Sequence, residues 1–545
     1  MSMFGDYKSY KTFAPQYSEW KAGRDLAEAK RVEYLKRNPE EIKQEDIQKS
    51  KAILRAIDVM DEYSQKRAEN AEVATETIVN AGIEIASSIA IALGLLLSAV
   101  KPVGKFLEKF LGKLAKHSKI KNLAPMLFAT ACAGIGGSLA ALPLFSWAAK
   151  TEVKASRKGR FEAINTELKD PKTFAILTPE QEEKLKLNLD LLSTKKENKK
   201  RFNGLKESWK TVKDIVIDSK DYKIQKIKFD NSLKENEKYF DKKLTDKEID
   251  DAKKDQQLLT KLVEKIDIAS QDYAENAELA TSALTTALFG FGALFSLLYA
   301  KIASKLKINF SFLPSVLSLV AVFGSSIFAA QIQKEASRVG RFKIKQDLIK
   351  NPEQLVYVSD KKTGEIKDID FKPHKKESIF KFLKNAWKND REYKKWKKTG
   401  GAIEKNYAKA LEDIEFTDEQ IKDAKRLQQN TFKTFNKIDE NSQKYAESLE
   451  ALGQSAQYPI SIIFSTIGLI LGLRHFNKIE SAKNINELIT PFTKYFSTII
   501  LSTLPSIGIN AYITKEQKKA SRVANMLAIN EMQDYRNFAD YSRFK

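Results

Sequence analysis

The chain has 545 residues and carries 93 Lys and Arg against 71 Asp and Glu, a formal net charge of +22. It has 3 His and 1 Cys, so neither an internal disulfide nor a His- or Cys-based metal centre fits the composition. Charged residues make up 30% and hydrophobic residues 42%, which implies apolar blocks separated by charged ones. The basic excess is mostly Lys scattered along helical stretches, so we read it as a solvated surface and expect no nucleic-acid partner.

In chain order, residues 1–50 read as an N-terminal helical segment. The start, MSMFGDYKSYKTF, lacks the apolar core of a signal peptide. Six apolar runs follow, at roughly 78–100, 123–149, 279–300, 308–333, 451–473 and 495–514. A membrane span needs about 20 mostly apolar residues. On that measure the runs predict six spans in three hairpins. The predicted connectors within hairpins are 101–122, 301–307 and 474–494.

Connector 101–122 carries an apolar stripe that includes Phe106 and Phe110, beside Lys105, Lys109 and Lys113. This predicts an interfacial helix on anionic lipid. Glu84 is the one carboxylate inside a run, and intramembrane charges are commonly functional. Thr245 with Glu248, and Thr417 with Gln420, predict capping boxes that open long helices. Residues 353–371 alternate around Lys362-Thr363-Gly364 and predict one small β-hairpin.

The chain is internally repeated. SQKRAENAE (64–72), SQDYAENAE (270–278) and SQKYAESLE (442–450) precede the first run of each pair. KASRKGRF (154–161), EASRVGRF (335–342) and KASRVANM (519–526) follow the second. LTDKEIDDAKKDQQ (244–257) matches FTDEQIKDAKRLQQ (416–429), and LKESWK (205–210) matches LKNAWK (383–388). LKDP, LIKNP and LKRNP recur as tails. Such matches at consistent spacing indicate duplication.

The domains follow: hairpin repeats at 51–170, 244–352 and 416–545, joined by helical linkers at 171–243 and 353–415. Three two-helix repeats resemble mitochondrial carriers in outline. The Pro-x-acidic-x-x-basic signature of that family is absent here, and the loops are much longer.

On a helix, Gln271, Glu275 and Glu278 share one face. Glu69 and Glu72, and Glu447 and Glu450, do the same in the other copies. Arg157, Arg338 and Arg522 recur at one place among only 16 arginines. A guanidinium fork suits two-point contact with carboxylates. This predicts a charge clamp within each hairpin, pairing Glu275 with Arg338.

The fold class expected is all-α: a polytopic membrane protein of three repeated transmembrane hairpins, with long cytoplasmic helical extensions and one β-hairpin. The location expected is a bacterial cytoplasmic membrane with both termini cytoplasmic. No catalytic, cofactor-binding or metal-binding residues are assigned, and no enzyme activity is expected. The function expected is a scaffold or assembly protein, bound to a lipid bilayer and to itself or a protein partner. Trp209 and Trp387 are the candidate contacts. A transporter or channel is the alternative.

Overall fold

The computed structural model describes residues 3–98, 124–193, 219–306, 336–364, 407–481 and 485–544, with isolated residues at 210, 211, 213, 214, 366, 388 and 391–395. Helix α1 covers Met3–Arg37 and α2 covers Gln44–Ser98. Next come α3 (Ala124–Thr166), α4 (Pro179–Ser193), α5 (Ser219–Lys234) and α6 (Asp246–Leu306). Helix α7 spans 336–350, followed by α8 (Asp418–Ser481) and α9 (Ile485–Glu531).

The hairpins are α2/α3, α6/α7 and α8/α9, each a leading helix and a returning helix. Helix α6 has 61 residues and α8 has 64, so each is roughly 90 Å or more in length at 1.5 Å per residue. Their first turns are closed by reciprocal bonds. The Thr245 amide donates to Glu248 Oε2 (2.7 Å), and the Thr417 amide donates to Gln420 Oε1 (3.0 Å). The return bonds run from the Glu248 and Gln420 amides to the Thr245 and Thr417 hydroxyls.

The three leading helices meet along a common axis. Corresponding positions 12, 8 and 5 residues before the repeated glutamine are Ile53, Ile57 and Met60 on α2, Leu259, Val263 and Ile266 on α6, and Thr431, Phe435 and Ile438 on α8. All nine are buried. Their spacing puts one face of each helix inward. Burying each aliphatic side chain contributes about 1.5–3 kcal/mol.

Each returning helix ends in a 3-10 turn that carries the chain back onto that core. The turns are Pro171–Phe174, Pro352–Gln354 and Tyr535–Phe538. Phe174, Leu355 and Phe538 just within or after them are fully buried. Phe174 meets Phe432 of α8 edge-on at 5.6 Å. One position on each leading helix pins a tail: Ser50 Oγ donates to Leu355 O (2.5 Å), Gln256 Nε2 to Met532 O (2.6 Å) and Gln428 Nε2 to Leu168 O (2.6 Å).

Close approach within hairpins has a visible cause. A Cβ on Gly159 would fall 2.3 Å from the Tyr63 carbonyl oxygen, and one on Gly340 would fall 2.5 Å from that of Ala269. The obstacle is backbone, which cannot rotate aside. Gly159→Ala should therefore lower stability by about 1–3 kcal/mol, read from the urea midpoint, while the third repeat already carries Ala524 at this place.

Three sequence expectations are corrected. First, among the described residues no helix is long and apolar enough to cross a membrane. The six spans rested on runs of about 20 mostly apolar residues, but the helices that carry described parts of them extend well beyond the runs into charged sequence. The polytopic fold class falls with the spans, and so does the integral-membrane location with its cytoplasmic termini. Run 308–333 lies outside the described residues, as do connector 101–122 and its Lys105, Phe106, Lys109, Phe110 and Lys113.

Second, the described residues contain no strand, and residues 353–364, the first arm and turn of the expected β-hairpin, form none; 365 and 367–371 lie outside the described residues. After the 3-10 turn the chain has no regular secondary structure through Ser359, then makes a helical turn at Asp360–Thr363. Its alternation serves burial: Val356 and Val358 pack with Leu35 of α1. Third, connector 474–494 is mostly helix, because α8 continues to Ser481 and α9 starts at Ile485.

Candidate functional site

The repeated phrases meet in a ring, and the ring joins different hairpins. Within each hairpin the two repeat serines touch: Ser64 with Ser156 (2.6 Å), Ser270 with Ser337 (2.5 Å) and Ser442 with Ser521. The glutamine beside the first serine reaches outward. Gln65 Nε2 donates to Ser337 (3.1 Å), Gln271 to Ser521 (2.8 Å) and Gln443 to Ser156 (3.0 Å).

The arginine after the second serine answers the same glutamine. Arg338 Nε donates to Gln65 Oε1 (3.1 Å), Arg522 to Gln271 (3.3 Å) and Arg157 to Gln443 (3.2 Å). Hairpin 2 thus grips hairpin 1, hairpin 3 grips hairpin 2, and hairpin 1 grips hairpin 3. The cycle closes with pseudo-threefold symmetry.

The acidic residues complete the grip. Arg338 reaches Glu69 at 2.5 Å; Arg522 reaches Asp272 at 2.5 Å and Glu275 at 3.5 Å. Glu447 holds the corresponding place near Arg157; burial raises its pKa, with Lys150 and Arg157 opposing. Of the clamp residues named from the sequence, Arg338 meets Glu69 and Arg522 meets Glu275, in both cases across hairpins and not within one. Glu72 lies further along α2, where its carbonyl accepts the Thr75 hydroxyl (3.1 Å). The side chains of Glu84, Glu278 and Glu450 lie outside the described residues, as do Trp209 and Trp387.

A second tier lies one helical turn toward the core. Asp61 of α2 pairs with Arg341 (2.5 Å), Asp439 of α8 with Arg160, and Asp267 of α6 with Asn525. Sequence reasoning missed this tier. Its signal was present as D-x-x-S-Q at 61–65, 267–271 and 439–443, three residues upstream of the phrase that was read.

A third tier converges on one carboxylate. Asp255 of α6 is fully buried and receives Lys49 of α2, Arg426 of α8 (3.4 Å) and the Asn430 amide (3.3 Å).

Residues outside the repeat lie against each joint between hairpins. Helix α5 covers the joint of hairpins 1 and 3, with Phe229 against Phe161 (5.1 Å) and Lys226 near Glu440 (3.5 Å). Tyr393 meets Phe342 (6.1 Å) beside the joint of hairpins 1 and 2.

Helix α1 straps hairpins 2 and 3. Tyr10 donates to Glu516 (2.7 Å), the Trp20 indole donates to Asn530 (3.0 Å), and Arg24 pairs with Glu264 (2.5 Å). A groove of about 870 Å³ lies between α1, α6 and α7. Inside it, burial pulls Lys261 down to about 8 against the pull of Glu28. Burial opposes the charge of Glu28, but Lys261 and Lys265 outweigh it and hold Glu28 at about 2. These charges are matched to each other at 2.9 Å, which makes the groove a docking seam for α1.

Among the described residues no group of three His, Cys, Asp or Glu is placed to hold a metal ion. Comparison with protein-family models, curated proteins and solved structures finds no match to this chain.

Proposed function

We propose that the chain is an assembly scaffold whose ring of three hairpins presents an apolar helical face to a second copy of itself. One observation carries this reading. Beyond the ring, α2 exposes Ile85, Ile89, Leu93, Leu96 and Leu97, each 49–68% accessible. They recur at helical spacing, so they form one stripe. Contiguous apolar surface of this kind marks association sites on proteins.

The same stripe on a second copy is self-complementary, and a two-fold arrangement would bury both at once. The repeated polar groups support the reading from the other side. Those described are engaged in joining hairpins, which suits a rigid frame. A transporter would need membrane spans, which no described helix supplies. Trp209 and Trp387 remain candidate secondary contacts, since aromatics anchor interfaces.

The test is mass in solution. The full chain should run as a dimer or larger by light scattering at micromolar concentration. Ile89→Lys with Leu93→Lys should yield monomer with an unchanged melting temperature. A wild-type chain that is strictly monomeric would overturn the scaffold reading.

A further inference from the structure

The second tier follows one rule twice and breaks it once. The returning phrases read RKGR at 157–160, RVGR at 338–341 and RVAN at 522–525. Two axial aspartates therefore face a guanidinium, and Asp267 faces the amide of Asn525.

The surroundings of Asp267 do not replace the missing charge. The carboxylates of Asp439 on α8 and Asp61 on α2, which Arg160 and Arg341 already hold, add negative charge to its surroundings. From α9 comes Arg522, itself committed to Gln271, Asp272 and Glu275. From α1 comes the buried Tyr17 hydroxyl, which carries no positive charge. On its own helix, Glu264 is taken by Arg24. Burial first, then Asp439 and Asp61, push Asp267 up to about 7, against the bond from Asn525 and the pull of Arg522.

The hydrogen bonds point the same way, independently of charge. Asp267 Oδ2 accepts two N–H groups, from Asn525 Nδ2 and from Gln271 Nε2 (2.7 Å). Asn525 is 3% exposed, and its Oδ1 has no hydrogen-bond partner among the described residues. A buried carbonyl oxygen without a donor is unfavourable and rare. An ionised carboxylate has no hydrogen to give it, whereas a carboxylic acid does. With the proton on Oδ1, Asp267 would donate to Asn525 Oδ1 while Oδ2 kept its two donors.

We propose that Asp267 is a proton-binding site at the joint of hairpins 2 and 3: the folded chain holds it as a neutral carboxylic acid paired at two points with Asn525, and its ionisation loosens that joint. The Arg-to-Asn replacement in the third repeat is what creates the site. Helix α1 straps the same joint, so the proton state bears on α1 docking.

The sign follows from linkage. An unfolded aspartate titrates near about 3.9, below its folded value here, so the folded chain binds this proton more tightly. The stabilisation from this group is fully present below pH about 4 and is lost as pH rises through about 7.

Infrared difference spectra of the full chain between pH about 5 and 8 test this directly, because a carboxylic acid C=O stretch is distinct from a carboxylate. One acid band should titrate near neutral pH in the wild type and be absent from Asp267→Asn. Asn525→Arg restores the rule of the other repeats and should weaken proton affinity at Asp267 by at least about tenfold. The melting temperature should fall from pH 5 to 8 more steeply in the wild type than in Asp267→Asn. If Asn525→Arg fails to fold, the wild type and Asp267→Asn still decide. A wild type with no acid band above pH about 5, or a neutral-range titration that Asp267→Asn leaves unchanged, overturns the proposal.

Discussion

Asp255→Ala should lower the stability of the chain by about 3–5 kcal/mol, the range expected when one partner of a buried ionic group is removed. Asp255 has 0% side-chain exposure, while Lys49 and Arg426 retain 15% and 20%. The two cations come from α2 and α8, so this one carboxylate neutralises charge from both other leading helices. Without it, Lys49 loses its ion-pair partner and Arg426 keeps only the more exposed Asp423, at 3.8 Å, within ion-pair distance.

Asp255→Asn keeps the volume and the link to Asn430, and should still lose most of that stability because the charge is gone. A triple change to Lys49→Met, Asp255→Leu and Arg426→Met should recover much of it, since replacing a whole buried ionic group by apolar side chains is often neutral. Urea midpoints for the four proteins check this. A triple variant less stable than Asp255→Ala would show that the group contributes more than its own neutralisation.

The three-repeat organisation was legible, because S-Q recurs before the first apolar run of each pair and A-S-R after the second. The helix starts at Thr245 and Thr417 were legible, since a capping box is local. Which acid each arginine meets was not. Glu275 and Arg338 share a hairpin, and antiparallel neighbours in one hairpin are the natural first choice. The returning helix also lies against the leading helix of the adjacent hairpin, and nothing local encodes that rotation.

Asp255 was illegible for the same reason. Its partners sit 206 residues before it, at Lys49, and 175 after it, at Asn430. The alternation at 353–371 misled because inward Val356 and Val358 pack on a helix, not across a strand pair. The Asn525 exception was visible in the sequence as RVAN. It gained meaning only once Asp267 was seen opposite it.

The rotation between hairpins has a decisive consequence for mutants. Arg338→Glu should destabilise the chain by about 3 kcal/mol, because Arg338 and Glu69 are only 18% and 24% exposed and reversal sets two carboxylates together. Adding Glu69→Arg should restore part of the loss, through a coupling of about 0.5–3 kcal/mol. Adding Glu275→Arg instead should deepen the loss, since Glu275 lies 3.5 Å from Arg522.

Arg338→Lys should also weaken the joint. One ammonium cannot reproduce both the Nε bond to Gln65 and the second nitrogen on Glu69. The matching cycle of Arg522 with Glu275 should show coupling of the same sign, because the ring repeats the contact. Chemical denaturation of the single and double variants measures all of these terms. If Arg338 couples more strongly to Glu275 than to Glu69, the hairpins are clamped singly and the closed ring is wrong.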